Sequence, residues 1–398
     1  MAESCDIFIS GGGIAGLTAA AAFASAGFRV ICADPAAPVT ARDAEGADLR
    51  TTAVLQPARA LLERCGLWTR LAPHAAPLQV MRIGDAGGAV PELRVVKDFN
   101  AADISGQPFG WNLPNWLLRR ELLARLEELP NAGLRLGTAA TGLFTRTGDA
   151  RVSLSDGARV QARLVVACDG RNSPMREAAG IPVRTTRYGQ KALAFAVTHP
   201  VPHENVSTEI HRTGGPFTLV PLPDHEGHPS SAIVWMERNA RAETLLEMPV
   251  EDFEAAMTRR SCGVLGELKL ASRRTIWPII SQSAARLNGE RLALMAEAAH
   301  VVPPIGAQGL NMSLSDLRCL LELAEARPEG LGDAQMLEAY HRARHRDILM
   351  RVKGIDLLNR TSMLAPRPLR DLRACGLNAL YSLAPVRKSL MQMGLGVK

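Results

Sequence analysis

The chain of 398 residues is 47% apolar and 22% charged, with a formal charge of +6, the composition of an ordinary globular protein long enough for two domains sharing an interface. Seven scattered cysteines, with no C-x-x-C pair, argue against a disulfide scaffold or zinc site and fit a reducing cytosol. Aromatics make up only 4%, so a nucleic-acid binder is not expected. No apolar run reaches the ~18 residues a membrane span needs.

The stretch Asp6 to Asp34 reads as a βαβ unit: an apolar run at Ile7–Ile9, a helix-favouring Ala/Leu segment begun by Ile14 and Ala15, and a second apolar run from Val30. Between strand and helix, Gly11, Gly13 and Gly16 are spaced G-x-G-x-x-G. The first permits a tight turn, the second lets a pyrophosphate approach the backbone, and the third lets helix pack on strand. Asp34 closes the second strand, where a carboxylate can accept hydrogen bonds from both ribose hydroxyls and repel a 2′-phosphate. Dinucleotide binding is the reading; the competing one is a purely structural turn, and the pattern does not separate FAD from NAD. Glu3 and Asp6, with no basic segment, do not read as a signal peptide.

After an irregular stretch at 35–47, Arg50 is expected just ahead of a helix carrying Leu55, Leu61, Leu62 and Leu67. Leu78 to Val96 reads as strands of a small sheet with a turn in MRIGDAGG. Residues 111–126 read as a loop, then an amphipathic helix bearing Leu118, Leu122 and Leu126, with Arg119 at the margin of its apolar face. A hairpin turning at Ser155-Asp156-Gly157 leads to the apolar run LVVA of a buried strand, which ends at Asp169-Gly170. This is either a simple turn or a second strand end facing the same dinucleotide.

Residues 185–282 change character, with several strand-like runs around one helix at 250–260, the pattern of an inserted antiparallel sheet. The chain then returns with a strand at 292–295, a loop containing Pro303, Pro304, Gly306 and Gly309, and a helix carrying Leu310, Leu314, Leu317 and Leu321. Residues 340–398 hold twelve Lys/Arg against three Asp, a balance of +9, while the rest holds 34 against 37, a balance of −3. That tail contains Leu369, Leu372, Leu377, Leu380, Leu383, Leu390 and Met393 among its basic residues. It is read either as a basic amphipathic element for a membrane surface or a biosynthetic partner, or as a closing helix pair on the first domain.

The motifs GGGIAG, DGRNSPMR and AEAAHVVPPIGAQGLN, in this order, resemble those of the single-component FAD-dependent aromatic hydroxylases typified by p-hydroxybenzoate hydroxylase. RTTAVLQPARALLERCGLW, NWLLRRELLARL and HVVPPIGAQGLNMSLSD look most like the ubiquinone-biosynthesis hydroxylases, such as 2-octaprenyl-6-methoxyphenol hydroxylase. The resemblance implies an α/β fold: a Rossmann-like FAD-binding domain with a mostly parallel sheet, an inserted antiparallel-sheet substrate domain and a C-terminal helical tail. On that reading segments 1–75, 111–184 and 283–345 bind FAD, 76–110 and 185–282 form the substrate domain, and 346–398 is a basic helical region.

Carried over position by position, the resemblance implies that Gly11, Gly13 and Gly16, with Ile14 and Ala15, hold the FAD diphosphate and Asp34 the adenosine ribose. Arg50 and Arg119 match arginines that touch the flavin or its phosphates. Asp169 and Gly170 match an Asp-Gly motif near the diphosphate that is also linked to NAD(P)H use. His300, Pro304, Gly306, Gln308, Gly309, Leu310 and Asn311 match the loop and helix start under the isoalloxazine. One departure stands out: the third motif normally begins Gly-Asp, the Asp bonding the ribityl chain, and here reads Ala296-Glu297, which keeps a carboxylate on a longer arm.

The implied activity is a flavin monooxygenase. NAD(P)H reduces FAD, O₂ forms a flavin C4a-hydroperoxide, and a polyprenylated phenol of ubiquinone biosynthesis is hydroxylated. The alternatives are an FAD hydroxylase or epoxidase of another apolar aromatic or isoprenoid substrate, and a non-catalytic scaffold of a quinone-synthesis complex. The protein is expected in the cytoplasm, at most peripheral on the inner membrane face. No Ser-His-Asp set or metal-ligand set is recognisable, and no metal or nucleic-acid partner is expected. His211 and Tyr188 are the residues considered as a base for phenol activation, each weighed against a packing or surface role.

Overall fold

The computed structural model describes residues 3–87, 92–363, 376 and 381–396. The strand Glu3–Ser10 lies inside an eight-stranded sheet, flanked in parallel by Arg159–Ala167 and Val30–Asp34. Ala132–Leu136 continues the sheet beyond Val30–Asp34, and Leu292–Leu294 beyond Arg159–Ala167, both in parallel. Ile7, Phe8 and Ile9 are wholly buried, as expected of a parallel strand covered on both faces. The helix Ile14–Ser25 buries Gly16 and the alanine run at 19–22 along with Leu17 and Phe23, and it meets the helices Asn115–Glu127 and Gln308–Ala326.

Register brings the motifs together. Ser10 pairs with both Ala33 and Ala167, and Ala167 with Leu294. Parallel strands point their carboxyl ends the same way, so the glycine loop, Asp34, Asp169-Gly170 and Ala296-Glu297 stand side by side along one edge.

The second sheet has nine strands and is antiparallel except where Val206–His211 runs parallel to Val80–Gly87. Val183–Thr198, Pro216–His225, His228–Arg238 and Thr275–Ala284 supply its long strands. Its apolar core gathers Phe195, Phe217, Trp235 and Phe253, whose ring centroids lie 5.0 to 6.0 Å apart. Gln282 pairs with Val301, which ties this sheet to the loop before Gln308–Ala326.

Several local expectations change. Arg50 precedes a strand, Thr51–Leu55, and the helix begins only at Gln56, because Leu55 is drawn into pairing with Gly110. The loop expected from residue 111 is the partner strand, Gly110–Pro114. Strand Val80–Gly87 takes in nearly all of the expected MRIGDAGG turn and joins the large sheet rather than a small one. The inserted region has a second helix, Asn239–Glu247, before Val250–Arg260.

One helix, Ala334–Ser362, runs 29 residues through position 346. The helix Ala384–Leu395 buries Met391 and Leu395 against Leu55, Ala101 and Phe109, while Leu383, Leu390 and Met393 stay exposed. Leu369, Leu372, Leu377 and Leu380 lie outside the described residues. Among the described residues no helix is long and apolar enough to cross a membrane.

Candidate active site

A cavity of about 490 Å³ opens between the two sheets. Two helix starts face it. Gly13, Ile14 and Ala15 begin one helix and Gln308, Gly309 and Leu310 the other, and neither start has a side-chain cap. The first backbone N–H groups of both helices are therefore donors awaiting an acceptor, with the positive end of each helix dipole behind them.

The three glycines have distinct surroundings. A Cβ on Gly11 would lie 2.4 Å from the Cys168 carbonyl oxygen, where the loop crosses the neighbouring strand end, and one on Gly16 would lie 1.8 Å from the Gly11 oxygen. A Cβ on Gly13 would meet nothing within 4 Å. Gly11 and Gly16 thus make room for protein, and Gly13 leaves room on the cavity side. Asp34 sits behind the lining and spends its carboxylate on the loop itself, accepting from the Gly12 N–H at 2.6 Å and the Ala36 N–H at 2.9 Å.

Arg50 and Arg119 both line the cavity and share one acid, Asp48. Arg50 donates to Asp48 through Nε at 2.8 Å and Nη2 at 2.7 Å and lies over the Trp277 ring. Arg119 Nη2 reaches Asp48 at 3.4 Å, and its Nε is buried without a partner. Burial pushes the Asp48 carboxyl up, but hydrogen bonds from Arg50 and Asn115 and the Arg119 charge more than offset this and hold it below its ordinary value. Asp48 was missed from sequence; an acid two residues before an arginine in a loop is too common to mark it.

Gly170 lines the cavity and Asp169 lies just beneath. Asp169 Oδ2 accepts from Ser10 Oγ and the Met175 N–H, each at 3.2 Å, while Oδ1 is buried with no partner. Burial raises its carboxyl above the usual range against the lowering pull of Ser173, Met175 and Ser10. Glu297 lines the cavity 3.7 Å from Arg171 Nε. Its neighbour Ala296 has φ +55°, left-handed backbone that favours glycine.

Pro304 and Gly306 line the cavity beside His300. His300 Nε2 lies 2.6 Å from Asp316 Oδ2, and Arg344 Nε donates to the other Asp316 oxygen at 2.8 Å. This buried triad pins the loop to the long helix. Gln308 is held in the same way, accepting from Arg351 Nη1 at 2.8 Å and donating to the Gly394 carbonyl at 3.0 Å. Asn311 stands behind the lining: its amide donates to the Ala53 and Ala307 carbonyls and its oxygen accepts from the Leu55 N–H.

The two residues considered as a base fare differently. Tyr188 is outside the lining, its hydroxyl 2.6 Å from Asp356 Oδ1 and 2.8 Å from Ser281 Oγ; burial first, then Asp356, pushes it up to about 12. It stays protonated and joins the second sheet to the long helix, a structural use. His211 is also outside the lining, but its Nε2 is 2.7 Å from Oε1 of Glu209, which lines the cavity. No sequence pattern marked Glu209. Among the described residues no group of three or more His, Cys, Asp or Glu is placed to hold a metal ion.

These surroundings suit an elongated anionic cofactor: two uncapped helix starts, an open glycine, buried polar atoms without partners and paired arginines around one cavity. Comparison with known proteins agrees. The FAD binding domain family matches residues 4–352. The ubiquinone hydroxylase UbiL of Rhodospirillum rubrum is 34% identical over 98% of this chain and 89% of its own length. The 3-demethoxyubiquinol 3-hydroxylase of Escherichia coli is 26% identical over 99% of both chains. In fold, p-nitrophenol 4-monooxygenase PnpA from Pseudomonas putida superposes with a TM-score of 0.80 at 18% identity, covering 100% of this chain and 99% of that one.

Proposed function

Since the chain belongs to the FAD binding domain family and is an FAD-dependent monooxygenase drawing electrons from NAD(P)H, we propose that its substrate is a polyprenylated phenol of ubiquinone biosynthesis. The observation that carries this reading is one cavity walled by three strand-end motifs on one side and the antiparallel sheet on the other. The curated relatives UbiL and the Escherichia coli enzyme, named as ubiquinone-pathway hydroxylases, supply the substrate class.

In this reading Gly13, Ile14 and Ala15 offer backbone N–H groups to the FAD diphosphate, and Gly11 and Gly16 shape the turn that presents them. Asp34 fixes the loop through Gly12 and faces the adenosine ribose. Arg50, Arg119, Asp169, Gly170 and Glu297 hold the middle of the cofactor. Pro304, Gly306, Gln308, Gly309 and Leu310 support the isoalloxazine, with Asn311 locking their loop to the adjoining strand. Bound FAD would supply the redox chemistry, hydride acceptance from NAD(P)H and transfer of one oxygen atom of O₂ to the ring. The protein's part is to orient the ring and keep water out. The apolar lining from Leu55, Phe109, Val220, Val234 and Trp277 does both.

The test is turnover of purified FAD-loaded protein with NAD(P)H, a short-chain prenylated phenol and ¹⁸O₂. Phenol-stimulated NAD(P)H oxidation with one ¹⁸O atom in the product is expected. Flavin reduction that no phenol stimulates, with all oxygen released as peroxide, refutes the reading.

The proposal extends to where the substrate is met. The helix Ala384–Leu395 exposes Val386, Leu390, Met393 and Lys388 beside the buried pair that docks it. We place this face on a lipid surface, where apolar residues insert and the basic tail meets anionic headgroups. Full-length protein should float with anionic liposomes, and a Leu390→Glu/Met393→Glu variant should not. Equal flotation of the two removes this helix from the contact.

A further inference from the structure

We propose that Glu209, held in place by His211, recognises the free hydroxyl of the substrate ring and selects neutral phenols over aromatic acids. This rests on the cavity being the phenol site proposed above. Glu209 lies on the strand Val206–His211, whose alternation puts Ser207, Glu209 and His211 on one face. Ser207, Glu209 and, on the adjoining strand, Thr218 line the cavity. Thr218 is directly opposite Glu209 in the sheet register, so a polar row crosses this wall.

The charges in this lining divide into two kinds. Arg50 and Arg119 are answered by Asp48, Arg82 by Asp98 and Arg171 by Glu297. Glu209 is answered by an imidazole, His211 Nε2 at 2.7 Å. Its side chain is only 18% exposed, and the far ring nitrogen of His211, Nδ1, is buried without a partner. With its proton on Nε2, His211 donates to Oε1 and fixes the carboxylate's direction. A carboxylate is an acceptor only, so the group it seeks from a substrate is an O–H donor.

Such a bond forms and breaks nothing covalent. The hydroxyl proton is shared toward Glu209 and electron density on the phenol oxygen rises, which makes the ring a better nucleophile toward an electrophilic oxygen. A second carboxylate on the ring would meet like charge across the same wall. Glu209 is therefore a catalytic residue touching substrate, and His211 is a positioning residue acting through it.

The test compares two probes differing by one carboxylate, 2-geranylphenol and 3-geranyl-4-hydroxybenzoate, binding to the FAD-loaded full chain, with flavin content and Tm as folding controls. Wild type should favour the phenol. Glu209→Gln should narrow that preference by ~10–100-fold, the worth of removing like-charge repulsion across one ring in a partly desolvated site, the hydroxyl being common to both probes. His211→Gln, which keeps an N–H near the same place, should retain the preference, and His211→Phe should lose much of it. If wild type hydroxylates 2-geranylphenol but Glu209→Gln keeps the full preference, this inference is overturned and the proposed function stands. If wild type neither binds nor hydroxylates 2-geranylphenol, both fall.

Discussion

Two substitutions three residues apart should separate what the glycines of the first loop do. Alanine at Gly16 places its Cβ 1.8 Å from the Gly11 oxygen and 3.3 Å from Cys168 Cβ. Ordinary contact begins near 3.4 Å, so helix and loop must part by about 1.6 Å, and both obstacles belong to the buried sheet edge. Overpacking of this kind costs about 3 kcal/mol, the upper part of its usual range, against roughly 1 kcal/mol regained from alanine's helix propensity. For a chain of this length the net change lowers Tm by about 2–4 °C. Alanine at Gly13 meets no protein atom within 4 Å and keeps an ordinary backbone, φ −69° and ψ 176°. It should cost apoprotein less than about 1 kcal/mol, yet weaken FAD by ~10–100-fold if its methyl stands where a phosphate must approach two N–H donors. Denaturant unfolding of apoprotein and FAD titration by tryptophan quenching measure the two effects. Wild-type FAD affinity in Gly13→Ala, or an unchanged Tm in Gly16→Ala, refutes the division of labour.

Asp316→Ala strips the partner from a buried arginine and histidine and should destabilise the fold by about 3–5 kcal/mol, read as a shift in urea midpoint; a change below about 1 kcal/mol means the triad is not holding the loop. Ala296→Gly relieves left-handed strain at φ +55° and should raise Tm slightly, the gain of about 1–2 kcal/mol being partly offset by glycine's greater entropy when unfolded; a lower Tm argues against strain there. Burial raises the Asp169 carboxyl above its ordinary range in the folded state, so above that range the unfolded chain gives up its proton more readily and the folded state bears the cost. Asp169→Asn should therefore stabilise apoprotein at pH 7, and the gain should shrink as pH falls toward the ordinary aspartate range, where the wild-type carboxyl takes up its own proton. A gain that is absent at pH 7 or grows on acidification contradicts the assignment.

Local physics made much of this protein legible in one dimension. The run Ile7–Ile9, the alanine helix after it and the glycines between them specify their own conformations through propensity and steric freedom, so the βαβ unit could be read directly. The hairpin turning at 155–157 and the helix bearing Leu310, Leu314 and Leu317 were legible for the same reason. Where pairing competes with propensity the sequence misled: Leu55 looks helical but joins Gly110 in a sheet, and the stretch from Met81 to Gly87 looks like a turn but forms a strand beside Val206–His211.

Residue types at strand ends marked the glycine loop, Asp169-Gly170 and the loop around Gly306 as candidates. Their arrival along one edge was decided by the parallel register joining Ser10, Ala33, Ala167 and Leu294. Asp48 acquires meaning only when Arg119, 71 positions on, folds back to it, and Asp316 only beneath Arg344 and His300. Glu209 is one more acid on a strand until the sheet turns it into the cavity. Backbone preference acts between neighbours and is written in order along the chain, whereas charge pairing and the closure of a cavity act through space and exist only once distant segments have met.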